Sequence, residues 1–279
     1  MKAYQIIAAI AASVFFFVWQ NNALEVTRHS IIKKNLPKEF DGFKILHISD
    51  LHNKNFRGRL DDAIFKIKPD IIVITGDLID RRRTDVGAGA VFLREIVKTA
   101  PVYYVTGNHE QMSEHYNKLQ QTLSDLNVKI MDGSYVAINR QKSAIGIMGT
   151  ADPAINFYMK GYGAEINVSY MEDSVNKLLQ QSLTDFNILL SHRPEYFSLY
   201  KRAGIDFVFA GHAHGGQIRL PFLGGILSPN QGFFPKYSEG IITDGITSMS
   251  VSRGLGNSIF PLRIFNRPEL VVVTLRAFS

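Results

Sequence analysis

The chain lacks cysteine altogether across its 279 residues, which excludes disulfides, thiolate-held metals and a cysteine nucleophile. That absence leaves the compartment open. No Arg/Lys block with interleaved aromatics suggests a nucleic-acid groove, so no nucleic-acid partner is expected. Internal repeats and low-complexity segments are missing too. Charge is modest, with 31 basic against 25 acidic residues and a net of +6, a mild bias that suits an anionic substrate or a membrane surface without requiring either. What remains, 46% hydrophobic and 20% charged residues, is ordinary for a globular protein. The length allows one large α/β domain or two modest ones, and one domain from 41 to 279 fits the pattern better.

From Ala3 to Leu24 no residue is charged, and Ile6 to Trp19 is apolar apart from Ser13. A full bilayer span takes about 20 mostly apolar residues, so this run reads as a secretory h-region or a marginal anchor. Tyr4 and Trp19 bracket it as interfacial aromatics would. The nearest small-residue cleavage sequence, Asn21-Asn22-Ala23, is unconvincing. An uncleaved N-terminal membrane anchor over 1–24 is expected, followed by a tether over 25–40 that includes Pro37. Arg28, Lys33, Lys34 and Lys38 follow the run and would favour a cytoplasmic domain by charge. Signal-like segments at an extreme N-terminus favour export instead, and the expectation is a cell-membrane protein with its domain on the outer face.

Downstream, strands and helices alternate. Ile71-Ile72-Val73-Ile74 is wholly β-branched, the mark of a strand buried on both faces. It stops at Gly76, and Asp77 and Asp80 follow. The same design recurs: strand 43–49 closes on Asp50 and His52, and strand 102–106 on Asn108, His109 and Glu110. Strand 186–190 closes on His192, and strand 206–210 on His212 and His214. Helices are expected over 60–67, 86–98, 113–126, 173–181 and 194–203. Gly87-Ala88-Gly89 is a helix start rather than a nucleotide loop. Strands 135–139 and 144–148, joined by a short turn, interrupt the rhythm as a second, antiparallel sheet region. Asn167-Val168-Ser169 is a glycosylation sequon by pattern only.

Five of the eight histidines fall just past strand C-termini, where open α/β sheets present their functional groups. His29, His47 and His115 stand outside this set, as tether, strand and surface residues. Carboxylate, imidazole and amide oxygen without sulfur suit Mn, Fe or Zn rather than a calcium cage. Asp50, His52, Asp77, Asn108, His192, His212 and His214 are too many ligands for one ion. They suit two, which can hold a bridging hydroxide and clamp an in-line displacement at phosphorus.

In order, D-x-H (Asp50-Leu51-His52), G-D-x-x-D (Gly76 to Asp80), G-N-H-E (Gly107 to Glu110), His192 and G-H-x-H (Gly211 to His214) resemble the calcineurin-like metallophosphoesterases. Gly215 to Pro221, Arg253-Gly254-Leu255-Gly256 and Arg267-Pro268-Glu269 are similar to a bacterial branch of membrane-associated or exported phosphodiesterases, relatives of UDP-diacylglucosamine pyrophosphatases. The resemblance implies a four-layer αββα sandwich and two divalent ions, Mn first. Asp50, His52 and His214 would hold one ion, Asn108, His192 and His212 the other, and Asp77 would bridge. It implies hydrolysis of a phosphodiester or pyrophosphate by the bridging hydroxide, with His109 as general acid and Asp80 orienting it. Arg81 would grip a phosphate oxygen, and Glu110 is expected to be structural. The alternative is a non-catalytic scaffold on the same fold. The anchor and the apolar run Leu220 to Phe234 suggest a lipid or lipid-linked substrate.

Overall fold

The computed structural model describes residues 3–156, 168–257 and 260–278; Asn167 of the sequon lies outside them. The chain opens with helix α1 (Ala3–Asn22). Strands β1 (Glu25–Lys33), β2 (Lys44–Ile48), β3 (Ile71–Thr75), β4 (Val102–Val105) and β5 (Lys129–Ile130) follow, separated after β2 by α2 (Arg59–Ile67), α3 (Val86–Ile96), the single turn α4 (Asn108–Gln111) and α5 (Tyr116–Asp125). The hairpin β6 (Ser134–Arg140) and β7 (Ser143–Gly149) leads to α6 (Val168–Gln181), β8 (Asn187–Leu190), α7 (Phe197–Arg202) and β9 (Phe207–Ala210). Two short ribbons come next, β10 (Arg219–Leu220) with β11 (Gly224–Gly225) and β12 (Leu227–Ser228) with β13 (Gly232–Phe233). The chain ends with β14 (Gly240–Asp244), β15 (Thr247–Val251) and β16 (Glu269–Ala277).

The first sheet runs β1-β16-β2-β3-β4-β5 and the second β14-β15-β9-β8-β7-β6. Side chains alternate across each strand, and both faces of the central strands are buried. Ile72 and Ile74 point to α2, α3 and α5, packing with Leu60, Ile64, Leu93 and Leu119. Ile71 and Val73 point the other way, into a layer shared with Ile147, Ile188, Leu190, Phe207 and Phe209 of the second sheet. Leu189 and Val208 face a third apolar layer with Val175 and Leu178 of α6 and Leu199 and Tyr200 of α7. Three apolar layers make a four-layer αββα sandwich. The antiparallel region expected for the second sheet is confined to its edges: β6/β7 and β14/β15 are antiparallel, while β7/β8, β8/β9 and β9/β15 are parallel.

The stretch expected to be a tether contributes to the fold. Glu25–Lys33 forms edge strand β1, parallel to β16 over nine residues. Its signal is masked because polar and apolar residues do not alternate with burial: Ile32 is exposed, while Lys33 is 9% exposed and donates to the Ile246 carbonyl. Only the C-terminal part of α1, from Phe16 onward, packs on the domain. Every residue from Ala3 to Phe15 is exposed, while Gln20 is buried.

Candidate active site

The parallel strands β2, β3 and β4 of one sheet and β8 and β9 of the other end on the same side, so five loops meet above the inter-sheet core. The loops after β2, β3 and β9 turn through left-handed backbone. Asp50, His52, Asp77, His212 and His214 all have positive φ, between 47 and 63°. Such backbones cost free energy for residues with a Cβ and cluster where geometry serves function. Two glycines permit the closest approach. A Cβ on Gly76, itself at φ +84°, would lie 2.3 Å from the Gly107 amide nitrogen. One on Gly107 would lie 2.2 Å from Asp77 Oδ1.

All seven candidate ligands come together. His214 Nε2 lies 3.3 Å from Asp50 Oδ1 and 3.2 Å from His52 Nε2, and His52 Nε2 lies 3.6 Å from Asp77 Oδ2. On the other side, His192 Nε2 lies 3.3 Å from the same Asp77 oxygen, 3.2 Å from Asn108 Oδ1 and 3.1 Å from His212 Nδ1. Two donor groups result, Asp50–His52–Asp77–His214 and Asp77–His192–His212, each with its ligand atoms within 4.8 Å of one another. Asp77 is common to both. Most of these spacings match the edge, about 3.0–3.4 Å, of a coordination polyhedron with bonds of about 2.1 Å. Lone-pair atoms facing one another in a buried site call for a shared cation, and this donor set fits two.

The electrostatics agree. Burial brings the His52 imidazole down to about 3 and drives His212 and His214 well below the usual histidine range. These rings are neutral and offer lone pairs. Burial also opposes charge on His192, but the Asp77 carboxylate outweighs it and pulls that ring up to about 10. Asp77, against its own desolvation, is held well below the carboxylate range by His192 and His109. Burial and the Asp77 charge lift Asp50 to about 6. His192 Nδ1 donates to the Thr75 carbonyl at 2.6 Å, which turns Nε2 toward Asp77 and fixes the tautomer a metal ligand needs.

Glu110 is fully buried. Its Oε2 accepts from the amides of Gly107 and Asp77, both at 2.8 Å, and Oε1 from that of Ile79 at 3.1 Å. It therefore ties the β3 and β4 loops together. The Asp77 carboxylate in turn accepts from the His109 amide at 2.8 Å. The His109 ring stands edge-on to His52 with centroids 4.4 Å apart. Its Nδ1 accepts from the Arg81 amide at 3.1 Å, and because an amide can only donate, neutral His109 carries its proton on Nε2. Asp80 Oδ1 is 3.9 Å from Nδ1, an ion-pair distance rather than a hydrogen bond, and accepts from the Arg82 amide at 2.8 Å. The Arg81 guanidinium turns onto Met112, whereas Arg82 and Arg83 line a groove of about 430 Å³ with His52, Asn53, Asp80, Asn257 and Pro261.

Several neighbours of the site escape sequence reasoning. Arg193 is buried and pairs in fork geometry with Asp152, Nε to Oδ2 at 2.5 Å and Nη2 to Oδ1 at 3.0 Å. Its Nη1 reaches Asn230 Oδ1 at 2.7 Å, and the same oxygen lies 2.9 Å from His212 Nε2. Arg193 follows His192 directly, the one local hint. Asn266 donates to the His214 carbonyl at 2.7 Å and to the Gln217 carbonyl at 2.9 Å. Arg263, 1% exposed, donates to the carbonyls of Arg253, Gly256 and Asn266. No spacing in the sequence announces these contacts.

Comparison with known proteins gives this geometry its family. The calcineurin-like phosphoesterase family matches residues 43–216. An uncharacterized metallophosphoesterase of Bacillus subtilis, YkuE, is 31% identical over 91% of this chain and 86% of its own. The phosphodiesterase YaeI of Escherichia coli is 25% identical over 84% of this chain and 82% of its own. The UDP-2,3-diacylglucosamine pyrophosphatase LpxG of Chlamydia trachomatis is 26% identical over 88% and 84%. With dinuclear metal dependence a property of the family, and two donor groups sharing one carboxylate at the strand ends, the chain belongs to the calcineurin-like phosphoesterases and is a metal-dependent phosphoester hydrolase.

Proposed function

We propose that this protein cleaves a phosphodiester or pyrophosphate bond of a lipid or lipid-linked substrate at a two-metal site. Asp50, His52 and His214 would hold one cation, Asn108, His192 and His212 the other, and Asp77 would be shared; Mn suits the oxygen-and-imidazole set, with Fe or Zn next. When bound, the cations supply the charge that activates water and offsets charge developing at phosphorus. The convergence of all seven ligand atoms about Asp77 is the observation that carries this reading.

His109 directs Nε2 toward the reaction. As a neutral ring it donates a hydrogen bond from Nε2 to a phosphoryl or leaving-group oxygen. As a general acid it needs a second proton on Nδ1, which exchanges the Arg81 amide for the Asp80 carboxylate 3.9 Å away. Arg82 and Arg83, lining the groove with His52, suit phosphate oxygens better than Arg81, whose guanidinium is committed to Met112.

The substrate class rests on exposed apolar side chains. Phe222, Leu223, Phe233 and Phe234, all at least 62% exposed, lie on the two short ribbons, the second of which carries Asn230 to His212. YaeI and LpxG are named for phosphodiester and lipid-linked pyrophosphate substrates. The freely exposed apolar α1 supports a single membrane anchor, with the catalytic domain on the outer face.

The test is Mn-stimulated hydrolysis of an activated soluble diester, with metal analysis of the same preparations. Asp77→Ala should empty the site and abolish turnover, and His109→Ala should keep the metal and lose turnover. Normal rates in both variants would overturn the reading. A substrate panel of nucleotide diesters, phospholipids and nucleotide-linked lipids would then decide the lipid component. Protease accessibility of the domain in intact cells would decide its side.

A further inference from the structure

Helix α1 is bound to the active-site rim, not merely tethered to it. Its Gln20 side chain accepts from the Asn266 amide at 3.2 Å. The Asn21 side chain accepts from the Arg263 amide and from Asn257, both at 3.0 Å. The Asn21 carbonyl, at the helix end, receives Lys54. Asn266 holds the backbone of His214, while Asn257 and Pro261 line the groove beside His52 and Asp80. The helix and the groove thus share the 260–266 loop as a common wall.

This loop climbs alongside α1. Phe265 packs edge-on against Phe16 with centroids 5.5 Å apart, although Phe16 lies six residues, about 9 Å along the helix, before its C-terminal end. Arg267 stacks on Trp19 at 5.0 Å, a cation on an aromatic of the kind found at a membrane surface. Beyond that pair the loop offers Phe260 and Leu262, each 38% exposed, and Phe265, 51% exposed. The β10–β11 ribbon is stitched to it, for Arg219 donates to the Ile264 carbonyl at 3.0 Å, and the ribbon's turn carries Phe222, wholly exposed, and Leu223.

We propose that the 260–266 loop and the β10–β11 turn form an apolar shelf inserted into the lipid bilayer beside α1. The groove leading to the metal site then opens at the bilayer surface. This rests on reading α1 as a bilayer anchor. The length of helix above Phe16 fixes the occupant: a residue packed that far along an anchor lies among lipids, not in water. The shelf explains why aromatic side chains stay exposed on loops that are otherwise hydrogen-bonded to buried atoms. It also gives the groove its substrate class, a phosphoester whose headgroup reaches the metals while its chains remain in the leaflet.

Trp19 is the sole tryptophan, which makes depth measurable in the full-length protein. In phosphatidylcholine vesicles with brominated upper acyl chains, Trp19 fluorescence should be quenched. A Trp19→Phe, Phe265→Trp variant should be quenched as well. Quenching at 19 with none at 265 overturns the shelf and leaves the anchor standing; no quenching at either position overturns both. Phe265→Ser should slow hydrolysis of a vesicle-embedded phosphodiester by about tenfold, the effect of losing one buried aromatic. The soluble-diester rate, which reports the hydrolase separately, should stay within about twofold of wild type. An equal fall on both substrates overturns the shelf as a lipid-contact surface.

Discussion

Glu110 braces the loops that carry the proposed metal ligands. Its two oxygens gather three amides from two loops, one of them the amide of Asp77, the proposed shared ligand. Glu110→Ala leaves those buried donors without an acceptor, at about 1–3 kcal/mol each. Urea unfolding should show a loss of about 3 kcal/mol or more, and a loss below about 1 kcal/mol would mean that water replaces the carboxylate. Gly107→Ala probes the same junction sterically. Its Cβ would meet Asp77 Oδ1 at 2.2 Å, so bound metal should fall while the far-ultraviolet circular dichroism stays that of wild type. Asp80→Asn separates the two carboxylates of the β3 loop. It preserves an acceptor for the Arg82 amide but removes the charge 3.9 Å from His109. Metal content should be unchanged and kcat should drop by about tenfold or more. A kcat equal to that of wild type would show that Asp80 does not assist His109.

At the scale of elements, legibility followed burial. β2, β3, β4, β8 and β9 announce themselves because both faces are covered and nearly every residue is apolar. Their ends could then be read for ligands, and Asp50, Asp77, Asn108, His192 and His212 are where such reading expects them. β1 hid among Glu25, Arg28 and Lys33, since one of its faces is wet and its pairing with β16 spans the whole chain. The ribbons of the tail are two-residue strands, too short for any period to show. Arg193–Asp152 and the Asn266 bridge are long-range side-chain contacts, which local pattern does not encode. Asn266 nevertheless braces a proposed ligand: it holds the carbonyl of His214 while its own amide is held by Gln20 of α1. Asn266→Ala should weaken metal binding by about 10–100-fold, as loss of a ligand's supporting hydrogen bond does. Titration of the metal-stripped full-length protein with Mn would measure it, and unchanged affinity would confine Asn266 to loop packing.

At the scale of the whole molecule, the two sheets meet around a titratable group that the chemistry does not use. His47 lies in β2 with no exposed surface, edge-on to Phe209 of the opposite sheet with ring centroids 5.0 Å apart. Thr75 Oγ1 donates to Ser49 Oγ at 2.8 Å and so accepts from His47 Nε2 at 2.8 Å. That arrangement suits the neutral ring, and burial brings His47 down to about 3. The unfolded chain takes up this proton near the ordinary histidine value, about 6.5, and the folded protein does not. Stability from this group is therefore complete above about pH 6.5 and falls as pH drops toward 3. The slope from one site approaches about 1.4 kcal/mol per pH unit. Other groups titrate in the same range, the metal ligands among them, so the difference between two proteins carries the information. His47→Gln keeps a donor for Thr75 and removes the titration. Urea midpoints converted to free energies at pH 7, 6 and 5 should find the variant less stable than wild type at neutral pH, with the gap narrowing by about half that slope from pH 7 to 6 and by nearly all of it from pH 6 to 5. Parallel curves would mean that protonated His47 is accommodated between the sheets, and that acid reaches the fold first through the metal site.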